Sequence, residues 1–222
     1  MISAQDWWNV FIGYNQNLYP FQWIVMGVAF ALIAWLILRP SNMASKSVMM
    51  FLSLANIWNG LMFFIVIGTG LPSPLRFIQG GLFIAIGLLL GMDTLRGKTK
   101  LQLPGKGIQR NVTVLLLLIV ACYPVIGLLR GHSVYQLVYP GTLPCATTSL
   151  SLILLSTALP KTNKPAYMLL LVWAITFAPL VQSPVFQVYE AAIMFIVGIY
   201  ALVQFIRAQV TARKEKNTQI HS

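Results

Sequence analysis

The chain has 222 residues, of which 58% are apolar and only 9% charged, and its net charge is +11. Soluble domains carry about 25% charged residues, so a soluble globular fold is excluded. The basic excess is no nucleic-acid footprint either, because such a footprint gathers on one polar face. Here charge-free runs at 7–38, 47–75, 111–129, 131–160 and 191–206 separate the charges, and apolar runs of 18 or more residues mean membrane-spanning helices.

Residues 1–17 lack the basic start and cleavage pattern of a signal peptide. Ser3 with Asp6 resembles a capping box, and Trp7, Val10, Phe11 and Tyr14 fall on one helical face. This predicts a short amphipathic helix lying in the outer interface as an anchor, where Trp and Tyr are enriched. The first span is predicted over about 18–38, ending at Arg39-Pro40, since proline disfavours helical geometry in the residue before it. The second covers about 48–68 and stops at Gly70-Leu71-Pro72. The third covers about 75–95, and a basic loop from Arg96 to Arg110 follows. Spans at about 111–129, 141–159, 165–182 and 185–206 complete the set, with the last cut placed at Gln182-Ser183-Pro184. The expected architecture is an all-α integral membrane protein with seven transmembrane helices over 18–206 and a basic cytoplasmic tail over 207–222.

Charge orients these spans. Lys and Arg concentrate in cytoplasmic loops. Thirteen of the fifteen fall in the first, third and fifth loops and the tail, while Arg76 and Arg130 lie on the other side. That pattern places the N-terminus outside and the C-terminus in the cytoplasm. Tyr19-Pro20 and Pro40 bracket the first span as Tyr139-Pro140 and Pro160 bracket the fifth. This spacing is compatible with a 3+1+3 parallel repeat, a transporter plan that puts a substrate between the halves.

Ionisable groups inside a membrane are costly and mark function by default. Of the four acidic residues, Asp6, Asp93 and Glu215 fall at interfaces or in the tail. Glu190 alone is expected inside, roughly 8 Å into its span at 1.5 Å per residue. Its candidate partners at that depth are Gln79, Arg76, Gln22 and Tyr19. One reading is a proton or cation site; the other is a structural bond from Glu190 to Gln79 or Arg76. Asn56 and Asn59 share a face of the second span, which suits either a ligand or an interhelical hydrogen bond. Thr147, Thr148, Ser149, Ser151 and Ser156 give the fifth span a polar stripe. With Pro124, Pro144 and Pro179, the stripe predicts irregular helices around a cavity, because non-helical backbone at membrane depth needs protein or water around it. Cys122 and Cys145 are read as two thiols in apolar surroundings, with a disulfide or soft-metal pair as the alternative. His132 has no companion at metal-ligand spacing.

Seven spans with an outside N-terminus invite comparison with retinal proteins, but no lysine lies within a span to carry the chromophore. No phosphate-binding loop, zinc-protease motif or nucleophile elbow occurs. No cofactor and no nucleic-acid partner is expected, and the partners expected are the lipid bilayer and a small solute or cation.

Three stretches carry a resemblance. They are Phe11-x-x-Tyr14-Asn15 with Leu18-Tyr19-Pro20, then Tyr123-Pro124 through Gly131-His132, and Pro140-Gly-Thr-Leu-Pro144-Cys145-Ala-Thr147-Thr148. With the basic Pro-Gly loop before the fourth span, the chain resembles a family of uncharacterised bacterial multi-pass membrane proteins. Ala146 stands where a second proline would be expected. The resemblance implies a multi-pass protein of the inner membrane and no particular activity. The leading expectation is a small-solute or ion transporter with a polar cavity open to the periplasmic side. Glu190, Gln79, Asn56, Asn59, Tyr19, Gln22, Cys145 and Thr148 are its candidate ligand-binding residues. The alternative is a non-catalytic scaffold or sensor acting through loop 96–110 and the tail. An enzyme would need a second acid, base or metal ligand near Glu190.

Overall fold

The computed structural model describes residues 4–67, 73–177 and 189–220. The Ser3 cap, the Gly70-Leu71-Pro72 turn, Pro179 and the boundary at Gln182-Ser183-Pro184 lie outside the described residues, as do the side chains of Asp6 and Trp7. Every described element is helical: α1 (Ala4–Leu18), α2 (Phe21–Leu38), α3 (Asn42–Trp58), α4 (Ser73–Arg96), α5 (Ile108–Ala121), α6 (Tyr123–Leu129), α7 (Pro144–Ser156), α8 (Lys164–Val172) and α9 (Tyr189–Ile220). A 3-10 turn at Val134–Gln136 precedes α7, and α3 and α8 run on as π-helical segments, Asn59–Ile67 and Trp173–Phe177.

Local chemistry sets the ends. Ser41 accepts a hydrogen bond from the Ala44 N–H at 3.1 Å to start α3, and Asn163 does the same for Ala166 in α8. Pro124, Pro144 and Pro165 sit in the first turns of α6, α7 and α8, where a missing N–H costs nothing. Pro124 also forbids a straight run from α5, and the two helices meet at 56°.

Four helices are long and apolar enough to cross a membrane: Phe21–Leu38, Asn42–Ile67, Pro74–Arg96 and Tyr189–Lys214. The bent pair α5 and α6 makes a fifth if it counts as one span. The expected fifth and sixth spans are instead short apolar helices, Pro144–Ser156 and Lys164–Thr176. The all-α class holds; among the described residues four or five candidate spans are seen, and not clearly the seven expected. The reason lies in α7. Its 13 residues measure about 20 Å, against roughly 30 Å of hydrocarbon. Every residue from Leu137 to Ser156 is buried, so protein surrounds it and the strand-like stretch before it can stay irregular. Asn15 Nδ2 donates to the carbonyls of Tyr135 and Leu137, and the Tyr14 hydroxyl donates to that of Thr142, which satisfies this non-helical backbone.

Two ends can be told apart. At one, Thr99 Oγ1 donates to the Lys161 carbonyl, Ser45 Oγ accepts from the Leu101 N–H, and Gln109 pairs with Gln204 of α9. The first, third and fifth loops therefore meet there, with most of the basic residues. At the other end α1 folds over the bundle. Its predicted face does not lie free in an interface: Val10, Phe11 and Tyr14 are buried, and Tyr14 packs on Phe63 and accepts from Trp58 Nε1 at 2.7 Å. The helix is apolar enough on that face to pack onto the bundle, which removes it from water and lipid alike.

α3 and α4 approach closely through small residues. Ser53 Oγ donates to the Gly87 carbonyl at 2.7 Å, and a Cβ on Gly60 would stand 2.6 Å from the Gly80 carbonyl oxygen. Such small-residue seams are how helices pack where lipid removes the hydrophobic drive.

Candidate functional site

The polar stripe of α7 is turned inward along its whole length. Towards α3, Asn59 Nδ2 donates to Thr147 Oγ1 at 3.0 Å and to its own Ala55 carbonyl at 2.8 Å. One turn further, Asn56 Nδ2 donates to Ser151 Oγ at 3.3 Å and to the Leu52 carbonyl at 2.7 Å. A backbone carbonyl can only accept, so both amide orientations are fixed. Each Oδ1 is therefore left buried with no partner among the described residues, and Thr148 Oγ1 is in the same condition. Gly141 N–H also donates to Thr147 Oγ1, tying the irregular stretch to the helix.

A second face of α7 looks towards α6, α8 and α9. Ser149 Oγ lies 3.3 Å from Tyr123 Oη, whose hydroxyl donates to the Glu190 carbonyl at 3.3 Å. The Tyr189 hydroxyl donates back to the Tyr123 carbonyl at 3.1 Å. At the far end Ser156 Oγ lies 2.7 Å from Tyr167 Oη, which donates to the Ala201 carbonyl of α9. Leu152 separates these two polar groups on the same face.

Glu190 is fully buried in the first turn of α9, and neither carboxyl oxygen hydrogen-bonds another described residue. The anticipated bond from Glu190 to Gln79 or Arg76 is not formed. Gln79 is buried with both amide atoms unpartnered among the described residues, and the Arg76 guanidinium stacks on Phe77 at 4.9 Å. Gln22 turns instead to Asn15, donating to its carbonyl and side-chain oxygens, while Tyr19 is half exposed and packs on Tyr135. Cys145 is buried and Cys122 exposed, with no disulfide between them.

The structure thus brings Asn56 and Asn59 to α7, which itself carries Thr148 and Cys145, and places Glu190 beside Tyr123 at its head. Tyr19 and Gln22 belong to a separate cluster with α1. Sequence reasoning missed Tyr123, Tyr167 and the pairing role of Thr147, Ser149 and Ser151. The available signal was a tyrosine hydroxyl in an otherwise apolar span, which needs a partner when buried.

Outside this core, His132 is sandwiched between Trp8 at 4.6 Å and Tyr189 at 5.9 Å, and Arg130 lies over the Tyr189 ring. Partial burial and then the Arg130 charge push the His132 imidazole below its ordinary pKa. Among the described residues no group of three or more His, Cys, Asp or Glu could hold a metal ion.

The largest of the described cavities, about 490 Å³, opens at the basic end. It is lined by Ser156, Thr157, Gln109, Gln204 and Arg207 beside the Pro104-Gly105 turn. An apolar pocket of about 180 Å³ lies near the opposite end, between Phe21, Phe51, Trp58 and Thr142. None of the eight candidate ligand residues lines either. Among the described residues no cavity brings these candidates together.

No curated protein and no solved structure matches the chain. A family model described as a family of unknown function (DUF6064) matches residues 4–216, nearly the whole sequence. The chain belongs to that family.

Proposed function

We propose that the protein conducts or transports a small cation or polar solute across a membrane through the polar core around α7. The observation that carries this reading is the set of buried oxygens with no hydrogen-bond partner among the described residues: Asn56 Oδ1, Asn59 Oδ1, Thr148 Oγ1 and both oxygens of Glu190. A buried polar atom left unpaired costs about 1–3 kcal/mol, and native proteins rarely tolerate several together unless a ligand or ion answers them. These oxygens suit a proton or a hard cation, and the buried Gln79 amide, unpartnered among the described residues, adds a donor as well as an acceptor for a polar solute. Ser156, separated from this core by Leu152, lines the 490 Å³ cavity at the basic end.

In this reading the chain crosses seven times, with α7 and α8 as protein-enclosed short spans. The N-terminus lies outside and the basic end in the cytoplasm, in agreement with the charge bias. The resemblance to bacterial proteins supports the inner membrane. Glu190 is then the single carboxyl at the outer mouth of the core.

Proteoliposomes holding the purified chain test this with imposed proton, sodium and potassium gradients. Flux above protein-free vesicles is expected for one of them. Glu190→Gln should lower it at least about tenfold, the loss typical of one charge-assisted contact. Wild-type flux equal to protein-free vesicles would remove the transport reading. Unchanged flux in Glu190→Gln would remove the carboxyl from it.

A further inference from the structure

A second polar cavity, of about 300 Å³, lies at the junction of the α4 C-terminus and the loop leading into α8. Three cationic side chains line it, Arg96, Lys98 and Lys161, together with Asp93 and Thr162. Its frame is held by hydrogen bonds. Thr99 Oγ1 donates to the Lys161 carbonyl at 3.2 Å, and Asn163 Nδ2 donates to the Leu89 carbonyl at 3.1 Å while its oxygen caps α8. The first turn of α8 adds the positive end of a helix dipole.

Two lining groups are buried yet unsatisfied. Among the described residues, Asp93, 5% exposed, has no hydrogen-bond partner for its Oδ2, and Thr162, 6% exposed, has none for its Oγ1. Asp93 Oδ2 can only accept, whereas Arg96, Lys98 and Lys161 can only donate, so a ligand that answers all four carries both signs. Leu89 and Met92 complete the wall, and it continues into the exposed apolar surface of Leu88 and Leu95 on α4.

We propose that this cavity binds the headgroup of a zwitterionic phospholipid with a free ammonium, of the phosphatidylethanolamine type. The phosphate pairs with Arg96, Lys98 and Lys161 and accepts from Thr162. The ammonium donates to Asp93, and the acyl chains lie along Leu88, Met92 and Leu95. The site rests on the membrane reading of α4 and is independent of transport. The end of a spanning helix is the depth at which headgroup phosphates sit. A phosphatidylcholine headgroup offers no N–H to Asp93, and phosphatidylglycerol offers no cation.

The test uses the full-length protein, delipidated in detergent and titrated with each of these three lipids and with inorganic phosphate, read by native mass spectrometry. Phosphatidylethanolamine is expected to bind about tenfold tighter than phosphatidylcholine, one charge-assisted bond being the difference. Lys98→Gln combined with Lys161→Gln should weaken all three lipids. Asp93→Asn should abolish the preference for phosphatidylethanolamine over phosphatidylcholine while keeping phosphatidylglycerol bound. If Asp93→Asn does not fold, Thr162→Val replaces it and should weaken the three lipids alike. Equal wild-type affinity for phosphatidylethanolamine and phosphatidylcholine overturns the proposal. So does inorganic phosphate displacing lipid at matching concentration, which would mark a free-phosphate site.

Discussion

Two helices occupy matching brackets of sequence, α2 between Pro20 and Pro40 and α7 between Pro140 and Pro160, and they finish in opposite surroundings. The α2 helix has a mean hydropathy of 2.2 and buries 22% of its residues, exposing Ile24, Val28, Trp35 and Leu38. The α7 helix carries five hydroxyl side chains and exposes none of them. In water the more apolar helix would be the inner one. In a bilayer the surrounding solvent is itself apolar, so the polar helix is the one that must be enclosed. Hydropathy alone thus finds α2 and misplaces α7.

The largest effect expected from this contrast concerns leucines of identical chemistry. Leu155→Ala on α7, at 0% exposure, should lower unfolding stability by about 2–5 kcal/mol, because the surrounding helices cannot collapse into the space. Leu38→Ala on α2, at 78% exposure, should change it by no more than about 0.5 kcal/mol. Detergent-solubilised protein unfolded by heat or by a denaturing detergent provides the measurement. Similar losses at the two sites would break the contrast.

What was legible in the sequence follows the same division. The spans α2, α3, α4 and α9 could be read because lipid demands uninterrupted apolar length, and charge marked which loops gather at one end. The shortness of α7 could not be read. Its enclosure depends on α1, where Asn15 and Tyr14 satisfy backbone carbonyls more than a hundred residues away. Long-range partners of this kind leave no periodic trace. The inward aim of the serines and threonines was visible as a stripe, but its pairing with Asn56, Asn59, Tyr123 and Tyr167 needed three dimensions. Glu190 stood out because acids are scarce, and its true neighbours, Tyr123 and Tyr189, did not. The basic-end cavity was invisible for the same reason, since it is assembled from loop, α7 and α9 together.

A smaller effect separates the α3–α4 seam from the exposed apolar surface of α2. A Cβ on Gly87 would lie 2.5 Å from Ile57 Cγ1 and 2.7 Å from the Ser53 carbonyl oxygen. Gly87→Ala must therefore push the helices apart, at about 1–3 kcal/mol. Gly27 on α2 has nothing within 4 Å of such a Cβ, so Gly27→Ala removes only glycine's helix penalty. It should be neutral or stabilising by up to about 1 kcal/mol. Destabilisation by Gly27→Ala in detergent would show that α2 packs on something beyond its described neighbours, and the contrast would weaken accordingly.

The smallest effect sharpens what holds the polar helix in place. Asn59 and Thr147 meet at 3.0 Å across α3 and α7, but each has another bond: Asn59 to the Ala55 carbonyl and Thr147 from Gly141. Truncating either to alanine therefore leaves the other partly satisfied. The double-mutant cycle of Asn59→Ala and Thr147→Ala should return a coupling of about 0.6 kcal/mol, and no more than about 1.7 kcal/mol, the span found for interhelical hydrogen bonds in membranes. A coupling near zero would mean that α7 is held by enclosure and packing alone. Its hydroxyls would then be free for the buried oxygens beside them, and the polar core would serve a ligand more than the fold. A coupling well above the range would reverse that weighting and make Asn59 chiefly a structural clasp. The cycle therefore separates the two roles of the asparagine on the same pair of atoms.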